Sequence, residues 1–206
     1  MAQVKIDFKK TLKHLYVPSA GDFSLVDVPQ MKFVKVDGVG DPNSSPEYSD
    51  AVAWLYAIAY PIKFISKKEL GKDYTVPPLE GLWWADDMSA FTDGHRDSWK
   101  WTMMLMQPDW ITDDIFGAGL EKATKKLGTP PQSLRFELFH EGLSVQILYF
   151  GPYADEAPTI ARMHNEFLPA NGLVENGNHH EIYLGDPRKT PPEKLKTVIR
   201  QPVRNS

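Results

Sequence analysis

Two stretches of the chain share one order of predicted elements, and this repetition constrains the fold more than any other feature. Residues 28–108 predict a strand, a helix and two further strands, and residues 134–206 repeat this order. Alternating apolar and polar residues indicate the strands, as in "MKFVKVDG", and apolar residues at helical spacing indicate the helices. Residues 1–27 are predicted to be a charged lead-in. The chain is expected to form one domain, 1–206, built from two pseudo-repeats.

The first repeat contains the helical segment "SSPEYSDAVAWLYAIAYP" and the strands "PLEGLWWAD" and "SWKWTMMLMQPDW". Ser44 and Glu47 fit a capping box at the start of the helix, and Pro61 is expected to help end it. A connector helix is predicted at about residues 112–127, because acidic residues open this segment and basic residues close it.

The second repeat begins with "LRFELFHEG" and "LSVQILYFG", which predict a hairpin that turns at Glu141 and Gly142. The helical segment "DEAPTIARMHNEFLPANG" follows, with an apolar stripe of Ile160, Met163 and Phe167. Two further strands, "HHEIYLGD" and "KLKTVIRQPV", complete the repeat.

The duplication predicts the fold class. A strand-helix-strand-strand unit leaves one face of its sheet uncovered, so two such units could form one curved antiparallel sheet with a central ligand cleft. We therefore predict an α+β fold of this kind. Glu80 in "LEGLWW" and Glu181 in "HEIYL" occupy comparable places in the two halves, each early in a strand and each followed by aromatic residues.

Composition excludes several classes of function. The chain has no cysteine, which removes disulfides, thiolate zinc sites and cysteine nucleophiles. A net charge of −4 gives no basic field for a nucleic acid, and no segment approaches the ~18 apolar residues of a membrane span. We expect a cytoplasmic protein that binds neither nucleic acid nor membrane directly; a homodimer is compatible with the sequence.

Aromatic residues are abundant and clustered, with six tryptophans, eight tyrosines and ten phenylalanines. Such residues often simply fill a core, but they also line pockets for flat ligands. Planar aromatic small molecules are therefore the expected partners.

Longer motifs carry a family resemblance. The stretch "FGPYADEAPTIARMHNEFLPANG", followed by "HHEIYLGDPRKTPPEKLKTVIRQPV", resembles the second half of the GyrI-like small-molecule-binding proteins. "PPLEGLWW" and "WKWTMMLMQPDW" resemble the first half of their stand-alone branch. The resemblance runs from about residue 28 to the C-terminus. It implies a solvent-accessible aromatic cavity with a glutamate at its base, which holds flat and often cationic drugs in multidrug-sensing relatives.

The resemblance also implies a reaction, because some stand-alone members open the cyclopropane ring of DNA-alkylating natural products by hydrolysis. Strand alternation places Glu181 and Tyr183 on one face, opposite Ile182 and Leu184. We predict that Glu181 activates water as a general base and that Tyr153 or Tyr183 donates to the carbonyl oxygen that gains negative charge. No cofactor is expected.

Alternatives remain open for both the residue and the protein. Glu181 could instead pair with Arg200 on the neighbouring strand. It could also ligate a metal with His179 and a third ligand from His164 or His140, although no metal is expected. The protein could be a non-catalytic module that binds or sequesters planar or cationic drugs.

Further side chains are predicted to line the ligand cleft. They come from both repeats and are mostly aromatic: Tyr183, Trp84, Trp101, Glu80 and Tyr56.

Overall fold

The predicted α+β class is confirmed by a computed structural model, which describes residues 5–87 and 95–206. The helices in chain order are α1 (Phe8–Thr11), α2 (Lys13–Tyr16), α3 (Pro46–Glu69), α4 (Asp113–Leu127), α5 (Ala157–Arg162) and α6 (Leu168–Ala170). The strands are β1 (Ser24–Val28), β2 (Met31–Val39), β3 (Leu79–Trp84), β4 (Lys100–Gln107), β5 (Arg135–Phe139), β6 (Gly142–Phe150), β7 (Leu173–Glu175), β8 (His179–Tyr183) and β9 (Lys196–Asn205). The first segment runs β2-α3-β3-β4, as predicted, and the second runs β6-α5-α6-β7-β8-β9, with the short strand β7 before the last two strands.

Helix α3 begins one residue later than the capping box predicts and continues past its internal proline. Ser45, not Ser44, is the N-cap, and its side chain accepts a hydrogen bond from the Tyr48 backbone N–H at 3.4 Å. The expectation that Pro61 ends the helix is wrong. Ile58 and Ile62 on either side of it are fully buried, and this packing offsets the hydrogen bond that proline cannot form.

The described residues divide into two compact units. The first unit falls within Met1–Thr11, Met31–Pro77 and Trp83–Phe139. In it, β2 pairs with β4 on one side and with β5 on the other, all antiparallel. Helix α3 packs on this sheet and α4 packs on α3. Gly119 permits the close helix contact, because a Cβ there would lie 2.7 Å from Cγ1 of Ile62.

The second unit comprises Leu12–Gln30, Pro78–Leu82 and His140–Ser206. Strand β9 pairs with β6, β8 and β7, and β1 pairs with β6, all antiparallel. The hairpin predicted at Glu141 and Gly142 is wrong, because β5 pairs with β2 whereas β6 pairs with β1 and β9. Residues 12–30, predicted as part of a lead-in, instead supply a helix and a strand.

The helical segment of the second unit packs on β6 and β9. A π-helical turn, Met163–Phe167, joins α5 to α6. The predicted stripe meets the sheet: Met163 is buried in a core with Val145, Ile147 and Ile199, and Ile160 and Phe167 pack against that core. No helix within the described residues has both the length and the apolarity needed to cross a membrane.

Candidate functional site

Strand β8 sorts its side chains as alternation predicts. His180 and Ile182 are buried on one face, while His179, Glu181 and Tyr183 on the other face keep some solvent exposure. Glu181 is opposite Ile199 of β9, and Tyr183 is opposite Thr197. The strand therefore presents a carboxylate and a phenol, two residues apart, on its less buried face.

Glu181 is held by a tyrosine and lies beside a second acid. Tyr183 Oη donates to Glu181 Oε2 at 2.7 Å. The carboxyl group of Glu156 is within hydrogen-bonding reach of Glu181. The oxygen Oε1 has His179 Nε2 at 3.5 Å, the outer limit of hydrogen bonding, so this histidine does not prevent Oε1 from binding water.

Tyr153 joins the same group of side chains. Its ring packs edge-on against Tyr183, with 5.3 Å between the ring centroids. It lies in a 3-10 turn just after Gly151, whose φ of +141° is disfavoured for other residues. Burial, and then the charges of Glu156 and Glu181, raise the pKa of Tyr153 to about 12, so its hydroxyl is a proton donor at neutral pH.

Glu156 is a member of the site that the sequence reasoning missed. The residue is only 2% exposed, and its Oε1 has no hydrogen-bond partner among the described residues. Burial first, and the negative charge of Glu181 second, raise the pKa of Glu156 to about 9. At neutral pH Glu156 is therefore a neutral acid beside Glu181. We call Glu156, Glu181, Tyr153, Tyr183 and His179 the open cluster.

Arg200 does not pair with Glu181, so that alternative is wrong. Its Nη1 donates to Glu141 Oε2 at 3.0 Å, and its Nη2 donates to the Leu15 carbonyl oxygen at 2.6 Å. The cause is register, because Arg200 is opposite His180 on β8 rather than opposite Glu181.

Glu80 belongs to the same buried network as Arg200. Glu80 accepts from Tyr16 Oη at 3.0 Å and from His180 Nε2 at 3.0 Å, while His180 Nδ1 lies 2.8 Å from Glu141 Oε1. We call Tyr16, Glu80, Glu141, His180 and Arg200 the sealed network, because all five side chains are buried.

Charge neutralisation stabilises the sealed network. Burial alone would lower the pKa of His180, but Glu141 and then Glu80 outweigh it and raise the pKa to about 9. Burial alone would raise the pKa of Glu141, but His180 and Arg200 lower it to about 2. His180 is therefore protonated at neutral pH, and both of its ring nitrogens are donors.

The remaining predicted ligand contacts belong to the first unit. Trp101 is fully buried, its Nε1 donates to the Gly40 carbonyl oxygen at 3.3 Å, and its ring lies over Gly38, where a Cβ would clash. A ligand could stack on Trp101 only after a neighbouring side chain moved. Trp84 is half-buried at the end of β3.

An aromatic cluster in the first unit was not anticipated. Tyr48 stacks on Trp83 with ring centroids 6.2 Å apart, and it meets Trp101 edge-on at 5.3 Å. Tyr56, half-buried on α3, packs beside the exposed Tyr60. Ligand contact by Trp84, Trp101 and Tyr56 stays a prediction.

Comparison with known proteins identifies the family. The sequence matches the GyrI-like small-molecule-binding domain over residues 21–204. The chain belongs to the GyrI-like family. This confirms the resemblance inferred from the motifs around Tyr153 and Glu181.

Solved structures extend the comparison. An uncharacterised conserved protein from Listeria innocua is 43% identical to this GyrI-like chain, with a TM-score of 0.87 over 97% of this chain and 100% of its own. A hydrolase from the same organism is 42% identical, with a TM-score of 0.83 over 97% and 100%. The EcmrR C-terminal domain, 12% identical with a TM-score of 0.56 over 90% and 98%, shares the fold alone. No curated protein matches the chain.

The GyrI-like chain offers no group of metal ligands within residues 5–87 and 95–206, where no three histidine or acidic side chains are grouped so as to hold an ion. His164, considered as a third ligand, instead binds Glu175, with 2.7 Å between Nδ1 and Oε1.

Proposed function

We propose that this GyrI-like protein is a hydrolase that opens the cyclopropane ring of planar, DNA-alkylating natural products, with Glu181 activating water. The observation that carries the proposal is the open cluster, in which Glu181 accepts from Tyr183, and Tyr153 packs against Tyr183 with a hydroxyl that stays protonated at neutral pH. A hydrolase from Listeria innocua that is 42% identical over the full chain supports the reaction class.

The charge state of the cluster suits a base. Glu156 is neutral below about pH 9, so it cannot act as the base itself, and Glu181 is the carboxyl group that takes this role in the proposal. Tyr183 donates to Oε2 and thereby orients the side chain of Glu181. A positioned base of this kind typically accelerates proton transfer by about 10²–10⁴-fold.

The proposed step is a ring-opening addition of water. The water oxygen attacks the strained ring carbon, and Glu181 takes one of the water protons. The ring carbon–carbon bond breaks, and its electron pair moves through the conjugated system onto a carbonyl oxygen. Tyr153 stabilises that oxygen by donating a hydrogen bond. The oxygen is protonated in the product, so the net reaction consumes one water molecule.

The test is turnover of a planar compound whose cyclopropane ring is conjugated to a carbonyl group, followed by mass. The purified protein is expected to form many hydrated product molecules per protein molecule. Capture without hydration would contradict the proposal and favour the non-catalytic binder.

Glu181→Gln is expected to lower turnover by roughly 10²–10⁴-fold while planar compounds still bind, because the base is lost and the shape is kept. The matched control is Glu193→Gln, an exposed glutamate in the 3-10 turn Pro192–Lys194, which should match the parent. Equal turnover by Glu181→Gln would remove Glu181 from the mechanism.

Tyr153→Phe tests the donor. Loss of one donor to a developing oxyanion costs about 10²–10³-fold in turnover. Tyr60→Phe, at an exposed tyrosine of α3, is the control. A Tyr153→Phe variant as active as Tyr60→Phe would show that another group stabilises the oxygen.

A further inference from the structure

A line of titratable side chains leads away from Glu181. His179 Nε2 lies 3.5 Å from Glu181 Oε1. The His164 ring follows, with its centroid 6.5 Å from that of His179. His164 Nδ1 then lies 2.7 Å from Glu175 Oε1. These four residues come from β8, the π-helical turn and β7, so tertiary structure rather than sequence proximity aligns them.

The line ends at solvent. The exposed fraction of the side chain is 16% for Glu181, 11% for His179, 20% for His164 and 52% for Glu175. The two imidazole rings are too far apart for a direct hydrogen bond and the nitrogens of His179 are buried, so a bridging water enters only if one ring rotates slightly. When a planar ligand covers the exposed part of Glu181, the line is the route that still connects this carboxylate with an exposed one.

Both ring nitrogens of His179 are available for such a proton transfer. Neither of its ring nitrogens has a hydrogen-bond partner among the described residues, although both are buried. Buried polar atoms are normally satisfied, so this exception calls for an explanation. An imidazole can accept a proton on one nitrogen and release one from the other, and both nitrogens of His179 are available for this.

The π-helical turn gives His164 an unusual setting. Such turns are rare and recur at functional sites. Here the turn keeps Met163 in the core while the next residue, His164, contacts Glu175. The turn thus combines a packing residue and a titratable residue at adjacent positions.

We propose that His179, His164 and Glu175 form a proton relay that returns Glu181 to its charged form after each turnover. This inference rests on the proposed function, in which Glu181 ends the ring-opening step with a proton from water. That proton passes to His179, then to His164 through a bridging water, and then to Glu175 and solvent. No oxidant or second substrate is needed, because only a proton moves.

The test separates the first turnover from later ones in His179→Gln, with the conjugated cyclopropane compound as substrate. Product formation in the first turnover should stay within about twofold of the parent, because the base itself is unchanged and no proton has yet to be removed from it. Steady-state turnover in dilute buffer should fall roughly tenfold or more, because Glu181 loses its proton slowly. Added imidazole should restore it, since a small base can replace the missing ring.

Two further variants complete the design. His164→Gln should show the same buffer dependence in weaker form, because Glu181 keeps its nearest acceptor. His95→Gln, at an exposed histidine of the first unit, is the matched control and should behave as the parent in every buffer. Rescue of His179→Gln by imidazole would also demonstrate that the variant is folded.

The outcomes distinguish the two proposals. A parent protein that forms no product overturns the proposed function and the relay together. If the parent is active and His179→Gln has the same steady-state turnover in dilute buffer, the relay alone is overturned. A His179→Gln variant slowed in its first turnover and insensitive to imidazole also overturns the relay, because His179 would then only position Glu181.

Discussion

Glu80 and Glu181 lie on neighbouring strands of the second unit, in places that the two repeats make comparable, yet their surroundings differ. Both oxygens of Glu80 accept from buried donors, Tyr16 Oη and His180 Nε2. Glu181 accepts from Tyr183 Oη and lies beside Glu156, on a strand face that keeps some solvent exposure. A saturated carboxylate has no capacity left for water or a ligand. The environment, not the strand position, therefore separates the structural glutamate from the reactive one.

The two groups of residues also differ in charge balance. The sealed network holds two carboxylates against protonated His180 and Arg200. The open cluster holds Glu156 beside Glu181 with no arginine or lysine in it, so one carboxyl group remains neutral. An acid kept neutral by burial and by a neighbouring carboxyl group is a feature of reactive sites more often than of stable cores. Four experiments test this contrast.

Glu141→Gln is expected to cause the largest loss of stability. This change leaves His180 and Arg200 buried with a single remaining carboxylate, and breaking a buried ion pair costs about 3–5 kcal/mol. The free energy of unfolding, measured with denaturant, should fall by that amount. Glu181→Gln should change it by less than about 1 kcal/mol. Equal losses of unfolding free energy in the two variants would show that the sealed network and the open cluster contribute equally to stability.

The pH dependence of stability should come next in size. The pKa of His180 is about 9 in the fold against an ordinary 6.5, so its contribution is full below pH 6.5 and is lost as the pH rises through 9. The free energy of unfolding should fall by on the order of 2–3 kcal/mol over this range. Glu141, with a pKa of about 2 against 4.5, adds a loss as the pH falls from 4.5 to 2. A free energy that stays constant between pH 6.5 and 9 would contradict the assignment of His180.

Tyr16→Phe should have an intermediate effect. It removes a buried donor to the charged Glu80, and hydrogen bonds to charged groups contribute about 1.5–3 kcal/mol. Tyr183→Phe removes a comparable donor from Glu181, but at a half-buried position that water can reach, so the loss should be below about 1 kcal/mol. Thermal and denaturant melts of the pair measure the difference. A larger loss for Tyr183→Phe would reverse the comparison.

The last expected effect has the opposite sign. Glu156 has a pKa of about 9 in the fold against 4.5, so its ionisation in the unfolded chain increasingly favours unfolding as the pH rises above 4.5. Glu156→Gln removes this cost and should raise the free energy of unfolding at pH 8, with no gain at pH 4. Melts at the two pH values measure the gain. A loss of stability at pH 8 would show that Glu156 stabilises the fold.

The local sequence pattern predicted where the helices and strands lie better than it predicted which strands pair. Alternation in "HHEIY" placed Glu181 and Tyr183 on one face because side-chain direction in a strand depends only on position. Gly142 does adopt a left-handed backbone, with a φ of +74°, but a glycine between two strand patterns does not specify which strand pairs with which. The hairpin failed for that reason.

The site shows the same limit. The predicted pairing of Glu181 with Arg200 is wrong because Arg200 is opposite the preceding residue, His180. Alternation within one strand does not determine its register with the next strand. Glu156 was missed because an acidic residue at a helix start is ordinarily explained by the helix dipole. Its burial depends on the loop after Gly151 and on β8, which are distant from each other in sequence.

The backbone carbonyl oxygens of His14 and Leu15 determine where this domain can be cut for use in a fusion protein. They accept from Gln146 and Arg200, two buried side chains of the central strands. The family match begins only at residue 21. A fusion protein joined at that residue would leave the guanidinium group of Arg200 without its acceptor at Leu15 and would lack Tyr16. A fusion protein should therefore begin upstream of the first residue of the family match and include residues 12–20.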